Sequence, residues 1–396
     1  MKKGWEYKKL KEIGQTQTGT TPPKSEKANY GDFIPFIRPA ELNIDGNGSI
    51  NFNSELKLSE CGVAKSRLIK AQSILMCCIG SVGKTGFSDR DVTCNQQINT
   101  LTPNEDYEPK LIYYALIAPS FQNLIWKIAN SAKATLAIIS KGKWEELSIR
   151  IPPLSEQKEI VEYLDSSFAK IDKLKENAAN NLDEAKALFQ SALKDALEPK
   201  EGWKEKTLGE MVKDVKYGTS KPACADGAYT YLRMNNITSD GHLDLNNTKT
   251  ISLDDKELEK CIVRKGDILF NRTNSYEHVG KTCVFTKETP MVIAGYIIRI
   301  RLKECLNPYY MNYFFNMKDT KAKLRKLSVG AVHQSNINAK AVQTVVIPLP
   351  SLSEQQSIVS FLDSLNEKLN TLQQNYSRIC DECDALKQAI LRQVFE

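Results

Sequence analysis

The chain has 396 residues, 41% hydrophobic and 26% charged, which is the composition of an ordinary globular protein of two or three domains. No apolar run is long enough to cross a bilayer, and the polar, lysine-rich start has no signal-peptide core, so we expect a cytoplasmic protein without membrane contact. Positive charge is concentrated in two segments: residues 1–150 hold 20 Lys and Arg against 15 Asp and Glu, and residues 199–348 hold 24 against 16. These basic segments suit a polyanion, whereas residues 151–198 and 349–396 are acidic.

Each basic segment alternates short β-branched or aromatic runs with Gly, Asn and Pro turns, which predicts a mixed α/β domain. Strands are predicted at Ser148–Ile151, Ile297–Leu302 and residues 345–347. Helices are predicted at residues 110–128 and 309–324.

Each acidic segment begins with a proline turn, offers Ser155 or Ser353 as a helix N-cap, and continues as a heptad pattern. We predict one long helix in each segment. A helix over residues 154–197 would be about 66 Å long at ~1.5 Å per residue, too long for one small domain to cover, so we expect the two helices to pair. Lys175 interrupts the apolar stripe, and the neighbouring Leu174 is the candidate for its inward place. The residues predicted to form the helix pair or to dock partners are Leu164, Phe168, Ile171, Leu182, Phe189, Leu362, Leu365, Leu369, Leu372, Ile379 and Leu386.

The chain repeats itself at an offset of about half its length. The acidic segments agree well, whereas the basic segments share only apolar residues, glycines and turns, which indicates one fold with two diverged surfaces. The matching pairs include Gly4-Trp5 with Gly202-Trp203, Asp45-Gly46 with Asp240-Gly241, Val82 to Thr85 with Val279 to Thr282, and Leu154 to Gln157 with Leu352 to Gln355.

Three motifs that could indicate catalysis, nucleotide binding or metal binding lack residues that these functions require. Gly83-Lys84 lacks the glycine that a phosphate-binding loop requires five residues earlier, where Cys78 stands. Asn307 and Pro308 fit the start of a helix better than a methyltransferase motif. The pair Cys380 and Cys383 lies on an apolar helix stripe with no second ligand pair nearby, and we interpret all ten cysteines as free thiols. We therefore predict a chain without catalytic residues and without a metal site.

The duplicated motif resembles the specificity subunits of type I restriction–modification systems. The resemblance rests on Pro-Pro-Leu-Ser-Glu-Gln at 152–157, Pro-Ser-Leu-Ser-Glu-Gln at 350–355, the long helix after each, Lys-Gly-Asp-Ile-Leu-Phe at 265–270 and the glycine-lysine turns at 83–84 and 280–281. The first half departs from it, because Lys-Ala-Gln-Ser at 70–73 replaces Lys-Gly-Asp. We infer that Asp267 serves a turn and does not act as a shared contact.

The resemblance implies an α+β protein with a pseudo-twofold internal repeat. Target-recognition domains at 1–150 and 199–348 would be separated by an antiparallel coiled coil of a central helix, 151–198, and a C-terminal helix, 349–396. Each domain would read one half of a split double-stranded DNA target, and the coiled coil would set the spacing. Two methyltransferase subunits would dock and methylate adenine N6, and restriction–translocase subunits can join. The chain itself would hold no cofactor, since S-adenosylmethionine, ATP and Mg²⁺ belong to the partners.

Base edges are read mainly by Arg, Lys, Asn and Gln, whereas Lys and Arg on phosphates set position. The candidates lie in polar, turn-rich stretches at similar places in the repeat. Tyr276 is a further candidate for stacking, and Tyr296 is expected in the core. The predicted DNA-binding residues are Arg38, Lys84, Gln96, Gln97, Lys133, Arg233, Asn235, Arg272, Asn274, Lys281, His333 and Gln334.

Three other functions stay open on the residues alone. A coiled-coil scaffold that binds only proteins is the main alternative, although the separation of basic and acidic segments argues against it. An enzyme with an unrecognised site is the second. A reader that serves a methylation-only defence system is the third.

Overall fold

The computed structural model describes residues 4–42, 48–53, 56–131, 136–331 and 334–396. The chain divides into two compact units, which we call unit 1 (Met1–Ala178 with Ser377–Glu396) and unit 2 (Ala179–Tyr376). The division into four segments stays a prediction, since each long helix contributes residues to both units. The candidates Lys133 and His333, and the repeat pair at Asp45-Gly46, lie outside the described residues.

In its described residues, unit 1 combines short helices with three small sheets. Its sheets have the strand orders β1-β9, β2-β8-β5-β6 and β4-β3-β7, and all neighbours are antiparallel except β3 and β7. The elements are β1 (Glu6–Lys9), α1 (Leu10–Ile13), β2 (Gly14–Thr18), β3 (Tyr30–Ile37), β4 (Lys57–Leu58), α2 (Glu60–Ala64), β5 (Ser73–Cys77), β6 (Thr85–Ser88), β7 (Thr93–Cys94), β8 (Ile98–Pro103), α3 (Pro109–Ile117), α4 (Pro119–Ser131), α5 (Lys141–Glu145), β9 (Ser148–Ile151) and the long α6 (Leu154–Leu197).

The described part of unit 2 repeats this arrangement with one added sheet. Its strand orders are β10-β22, β11-β19-β15-β17, β13-β12-β18-β14 and β16-β21-β20. The elements are β10 (Lys204–Thr207), α7 (Leu208–Met211), β11 (Val212–Tyr217), β12 (Tyr229–Leu232), β13 (Lys249–Ile251), α8 (Asp255–Cys261), β14 (Ile262–Val263), β15 (Ile268–Asn271), β16 (Thr273–Asn274), β17 (Thr282–Val284), β18 (Met291–Ile293), β19 (Ile297–Leu302), α9 (Pro308–Asn316), α10 (Lys318–Lys326), β20 (Val329–Ala331), β21 (Gln334–Asn336), α11 (Ala339–Gln343), β22 (Val346–Leu349) and the long α12 (Leu352–Phe395).

The predicted strands Ser148–Ile151 and Ile297–Leu302 are confirmed. Each of the two predicted helices is instead a pair, because Ala118 and Met317 have extended backbone between the two members. Pro119 explains the first break, since a residue before proline avoids the helical region. In unit 2 the break occurs at the equivalent place without a proline.

In unit 1 the first part of α6 pairs with the end of α12 in the predicted antiparallel sense. Lys175 Nζ lies 2.8 Å from Asp384 Oδ1, and Lys387 Nζ lies 2.5 Å from Asp172 Oδ1, so the numbers of the two helices run in opposite directions. Lys175 is therefore accommodated by an ion pair. The expectation that Leu174 replaces it is wrong, because Leu174 is 53% exposed.

In unit 2 the end of α6 packs on the start of α12 and on the domain core. The contact residues are Leu193, Leu197, Ile358, Val359 and Leu362, which share one buried cluster. The predicted heptad positions differ in their depth. Leu164, Ile171, Leu182 and Leu362 are buried, and Phe168, Phe189, Leu365, Leu369 and Ile379 are half-buried.

Two predicted seam residues, Leu372 and Leu386, are exposed at 45% and 50%. Lys387, next to Leu386, is buried in its place and lies over the Phe168 ring, 5.3 Å from the centroid. An α-helix turns every 3.6 residues, so a strict 3.5-residue pattern drifts away from the buried face.

The interpretation of Asp267 as a turn residue is confirmed. Asp267 is 4% exposed, accepts a hydrogen bond from the Arg264 N–H at 2.8 Å, and pairs with Arg301 at 2.9 Å. Gly266 beside it has a φ of +89°, a conformation that glycine adopts easily. The prediction that Asn307 starts a helix is also confirmed, because its side chain accepts from the N–H groups of Tyr309 and Tyr310.

Candidate nucleic-acid interface

The two units share one backbone frame around the segments that hold the candidate residues. Three hydrogen bonds of unit 1 have a counterpart in unit 2 at nearly the same offset. The pairs are Gly19 N to Ile98 O with Gly218 N to Ile297 O, Cys78 N to Gln97 O with Arg272 N to Tyr296 O, and Ile139 N to Cys78 O with Ile337 N to Arg272 O. Thr18, Cys78, Gln97 and Ile138 of unit 1 are therefore equivalent to Tyr217, Arg272, Tyr296 and Asn336 of unit 2.

Arg272 follows β15 and is held from several sides. Its guanidinium carbon lies 4.7 Å from the centroid of the Tyr217 ring. Nη2 donates to Asn336 Oδ1 at 2.8 Å, and Nη1 donates to the Gly295 carbonyl at 3.4 Å. The Tyr217 hydroxyl in turn accepts from the Ala339 N–H at 2.9 Å. The side chain of Arg272 is therefore oriented before any ligand arrives.

Arg272 lines a cavity of about 790 Å³ in unit 2, which we call the Arg272 cavity. Four of the predicted DNA-binding residues meet there: Arg233, Asn235, Arg272 and Gln334. Lys221, Lys249, Tyr217, Tyr296 and Asn336 add further positive charge, aromatic rings and an amide to its lining. Cations, aromatic rings and amides are the groups that proteins use to bind phosphates, stack on bases and read base edges.

Two details of the cavity differ from the sequence-based expectations. Tyr296, which the sequence indicates for the core, is 51% exposed, since it lies in the turn between β18 and β19 and lines the Arg272 cavity. Arg233 donates Nη2 to the Asn247 carbonyl at 2.7 Å, so part of its hydrogen-bonding capacity is already used.

Two candidates of unit 2 do not line the Arg272 cavity. The Asn274 side chain accepts a hydrogen bond from the Ser275 N–H at 2.9 Å and shapes its own turn. Lys281 follows Gly280, which has a φ of +87°, and burial lowers the pKa of Lys281. A half-buried ammonium group is less suited to an exposed phosphate than the sequence alone indicated.

The candidates of unit 1 carry more internal bonds than expected. Arg38 donates two hydrogen bonds to the buried carboxylate of Glu41, from Nε to Oε2 at 3.2 Å and from Nη2 to Oε1 at 2.6 Å. Lys84 Nζ donates to the Pro39 carbonyl at 3.1 Å. Both cations thus hold the turn that follows β3, and DNA contact by either would compete with these bonds.

Gln96 and Gln97 of unit 1 lie beside the segment after β2. Gln96 is exposed and accepts from the Thr21 hydroxyl at 2.6 Å, while Gln97 accepts from Asn95 Nδ2 at 2.9 Å. Arg67, which is not among the predicted residues, is exposed and donates Nη1 to the Thr18 carbonyl at 2.6 Å. No pattern around Arg67 distinguished it from other surface arginines, and Tyr217 and Asn336 were missed because only the fold brings them to Arg272.

The described residues contain no group of three or more His, Cys, Asp or Glu side chains placed to hold a metal ion. Within the same ranges, no helix is long and apolar enough to cross a membrane.

Comparison with known proteins identifies the family. Residues 2–183 and 200–379 match the family model "Type I restriction modification DNA specificity domain". The chain is 25% identical over 420 residues to the EcoKI specificity subunit of Escherichia coli (strain K12), covering 99% of the chain and 88% of the relative. It is 24% identical over 415 residues to the StySPI specificity subunit of Salmonella potsdam, with the same coverage of 99% and 88%.

Two solved structures share the fold. One, described as "Structural basis underlying complex assembly and conformational transition of the type I R-M system", has a TM-score of 0.76 at 18% identity, covering 100% of this chain and 98% of its own. The HsdS subunit from Thermoanaerobacter tengcongensis has a TM-score of 0.57 at 19% identity, covering 100% and 97%. The predicted family and the predicted repeat of two mixed α/β domains with long helices are confirmed. Taken with the duplicated frame, these matches show that the chain belongs to the type I restriction–modification DNA specificity family.

Proposed function

We propose that this chain is the DNA-reading subunit of a type I restriction–modification complex, in which each unit binds one half of a bipartite double-stranded target. The observation that carries the proposal is the duplicated backbone frame with different side chains at equivalent positions. A shared frame would place both units on DNA in the same way, while Arg272, Tyr217 and Asn336 against Cys78, Thr18 and Ile138 would select different half-sites.

The contacts divide into two classes by chemistry. Amide and guanidinium groups can make two hydrogen bonds to one base edge, whereas ammonium groups act as point charges on phosphates. We therefore propose base contacts for Gln96, Gln97, Arg233, Asn235, Arg272 and Gln334, and a phosphate contact for Lys249. Lys221 lies at the same cavity, but its Nζ is paired with Asp254 Oδ2 at 3.0 Å. Four other candidates would chiefly stabilise the turns in their own part of the fold and would not contact DNA directly. They are Arg38, Lys84, Asn274 and Lys281.

The long helices would dock two copies of one partner. Tyr163, Leu174 and Leu386 are exposed in unit 1 at 50%, 53% and 50%, and unit 2 exposes Phe361, Leu372 and Leu188 at the equivalent positions, at 52%, 45% and 70%. Exposed apolar residues at repeated positions suit two identical protein surfaces.

We propose that the partners are two methyltransferase subunits, to which restriction–translocase subunits would add. The methyltransferase would bind S-adenosylmethionine and methylate adenine N6 after swinging the base out of the duplex. ATP and Mg²⁺ would serve the restriction subunits, and the complex would work in the cytoplasm. The relatives are named specificity subunits, in line with the prediction that this chain performs no catalysis.

A binding experiment tests the DNA-reading role. The chain is purified in complex with its methyltransferase, and the DNA sequences that this complex binds are selected from random-sequence duplexes. We expect a two-part consensus, and affinity that falls roughly tenfold or more between 50 and 200 mM salt, because phosphate contacts release counterions. Duplexes with only one half-site are the matched control and should bind more weakly.

A complex without sequence preference, or with affinity that is flat in salt, would leave the protein-binding scaffold as the better account. A complex that methylates its target and never supports cleavage, even with candidate restriction subunits added, would favour the methylation-only system.

A further inference from the structure

Arg272 combines a fixed orientation with unused hydrogen-bonding capacity. A guanidinium group carries five N–H bonds, two on each terminal nitrogen and one on Nε. Nη1 and Nη2 each donate once within the protein, to Gly295 and Asn336. One N–H on each terminal nitrogen is therefore left, which is the number that a two-pronged contact requires.

The surroundings of Arg272 favour a base edge over a phosphate. The side chain is half-buried against Tyr217 at the Arg272 cavity, whereas Lys249 at the same cavity is exposed. An exposed, flexible ammonium group is well suited to bind a phosphate. A planar fork clamped in one orientation is better suited to a ligand with two acceptors in one plane. The cavity lining also includes Glu257, whose carboxylate accepts a hydrogen bond from the Thr219 hydroxyl at 3.0 Å.

Among the base edges in the major groove, guanine presents two neighbouring acceptors, O6 and N7, and arginine binds both. Adenine offers N7 beside a donor, which would face an arginine N–H, and cytosine presents only a donor. A clamped guanidinium therefore discriminates in favour of guanine.

Unit 1 has no guanidinium at the equivalent position. Cys78 replaces Arg272 and is 2% exposed, and Ile138 replaces Asn336 and is 41% exposed. Thr18 replaces Tyr217, and its hydroxyl donates to Asn99 Oδ1 at 2.8 Å. Unit 1 therefore has none of the three groups, guanidinium, aromatic ring and amide, at the positions equivalent to Arg272, Tyr217 and Asn336. The arrangement is specific to unit 2.

We propose that Arg272, clamped by Tyr217 and Asn336, reads a guanine in the half-site bound by unit 2, and that unit 1 makes no equivalent contact. This inference rests on the proposed function. It adds a base identity and one specificity-determining residue to it.

The test uses the complex of the full chain with its methyltransferase. After the wild-type target is selected from random duplexes, affinity is measured for all four base pairs at every target position, for wild type, Arg272→Lys, Arg272→Ala and Lys249→Ala. We expect one position of one half-site to require guanine in wild type. Arg272→Lys, which keeps the charge but loses the fork, should reduce that preference about tenfold or more and leave the other half-site unchanged. Lys249→Ala should weaken binding to all sequences alike.

The inference is overturned if Arg272→Lys keeps every base preference of wild type, or if Arg272→Ala weakens binding uniformly as Lys249→Ala does. A wild-type complex with no two-part target would instead overturn the proposed function. Asn336→Ala covers the case in which the Arg272 variants do not fold. It should relax the same guanine position, and unaltered selectivity there would count against the clamp.

Discussion

The side-chain oxygen of Gln355 accepts a hydrogen bond from the backbone N–H of Asn307 at 2.7 Å, in a fully buried position at the start of α12. Its Nε2 donates to the carbonyls of Pro350 and Cys305, each at 3.0 Å. Gln157 makes the same kind of contacts in unit 1, with the Glu108 N–H at 2.8 Å and the Pro152 carbonyl at 3.1 Å. The glutamine of the duplicated Leu-Ser-Glu-Gln motif therefore fastens each long helix to its domain.

Gln355→Glu should destabilise unit 2 by about 1–3 kcal/mol. The substitution keeps the shape but points a second acceptor at two buried carbonyls, which leaves them unsatisfied. Urea unfolding measures the loss, with Gln374→Glu on the exposed surface of α12 as the control. Equal stability of the two variants would show that the buried amide contributes nothing.

Asp214→Asn should cost about 3–5 kcal/mol, since it leaves the guanidinium of Arg299 buried without its charged partner. Arg299 is completely buried on β19 and pairs with Asp214 of β11. The double variant Asp214→Asn with Arg299→Met should lose less than the single one, because the buried charge is gone. A double variant at least as unstable as Asp214→Asn would contradict this account of the pair.

Unit 2 should lose part of its stability as the pH rises above about 6.5. His242 Nδ1 lies 3.3 Å from Asp240 Oδ2, and this carboxylate, with a smaller contribution from Asp363, raises the pKa of His242. A raised pKa means that the folded state holds the proton more tightly. The stabilisation is therefore complete below the ordinary value and is lost as the pH passes the folded-state value.

The check compares urea midpoints of wild type and His242→Gln at several pH values. The difference should shrink as the pH rises from about 6 to 8. Comparing the two proteins separates His242 from Lys321, whose pKa burial lowers to about 8. Asp240→Asn should remove most of the pH dependence of this difference, leaving only the smaller effect of Asp363. A difference that grows with pH would contradict a raised pKa of His242.

Leu174→Ser with Leu372→Ser should leave the fold intact and weaken the methyltransferase complex. Both leucines are exposed, and substitutions at such positions usually change stability by no more than about 0.5 kcal/mol. Co-purification and sedimentation of the complex provide the readout. Ile171→Ser, at a buried position on the same helix, is the control and should lower stability instead. Full assembly of the double variant would place the partner elsewhere.

Insertion of one heptad into both α6 and α12 should lengthen the DNA spacer and leave both half-sites as they were. Seven helical residues add about 10 Å at ~1.5 Å each, close to three base pairs at ~3.4 Å each. Selection from random duplexes reads the spacer directly. An unchanged spacer would show that the helices do not set it, and an insertion of four residues in one helix serves as the mismatched control.

The fold was accessible from the sequence wherever a local pattern repeats. Ser148–Ile151 and Ile297–Leu302 were predicted at their observed bounds because β-branched residues alternate between turns. Neither helix break was predicted: one helix was expected across Ala118 although Pro119 follows it, and no proline marks the break at Met317. The exposure of Leu386 was missed because the heptad pattern does not show which residue of a neighbouring pair, Leu386 or Lys387, will be buried.

The DNA-binding candidates also show what a local pattern can and cannot predict. Residue type and a position in a polar turn were enough to select Arg233, Asn235, Arg272 and Gln334, which meet at one cavity. The same criteria selected Arg38 and Lys84, whose cationic groups hold a turn of their own unit. Chemical type is local, but the partners of a side chain come from segments far away in the chain.

The amino-acid sequence by itself determined the duplication, the two long helices and the separation of basic from acidic segments, since these depend on periodicity and composition. Only the tertiary structure decided that Tyr217 and Asn336 clamp Arg272, and that Cys78 occupies its place in unit 1. Those relationships join residues 55 or more positions apart, and hydrogen bonds and ring contacts at such separations form only when the strands pair in register.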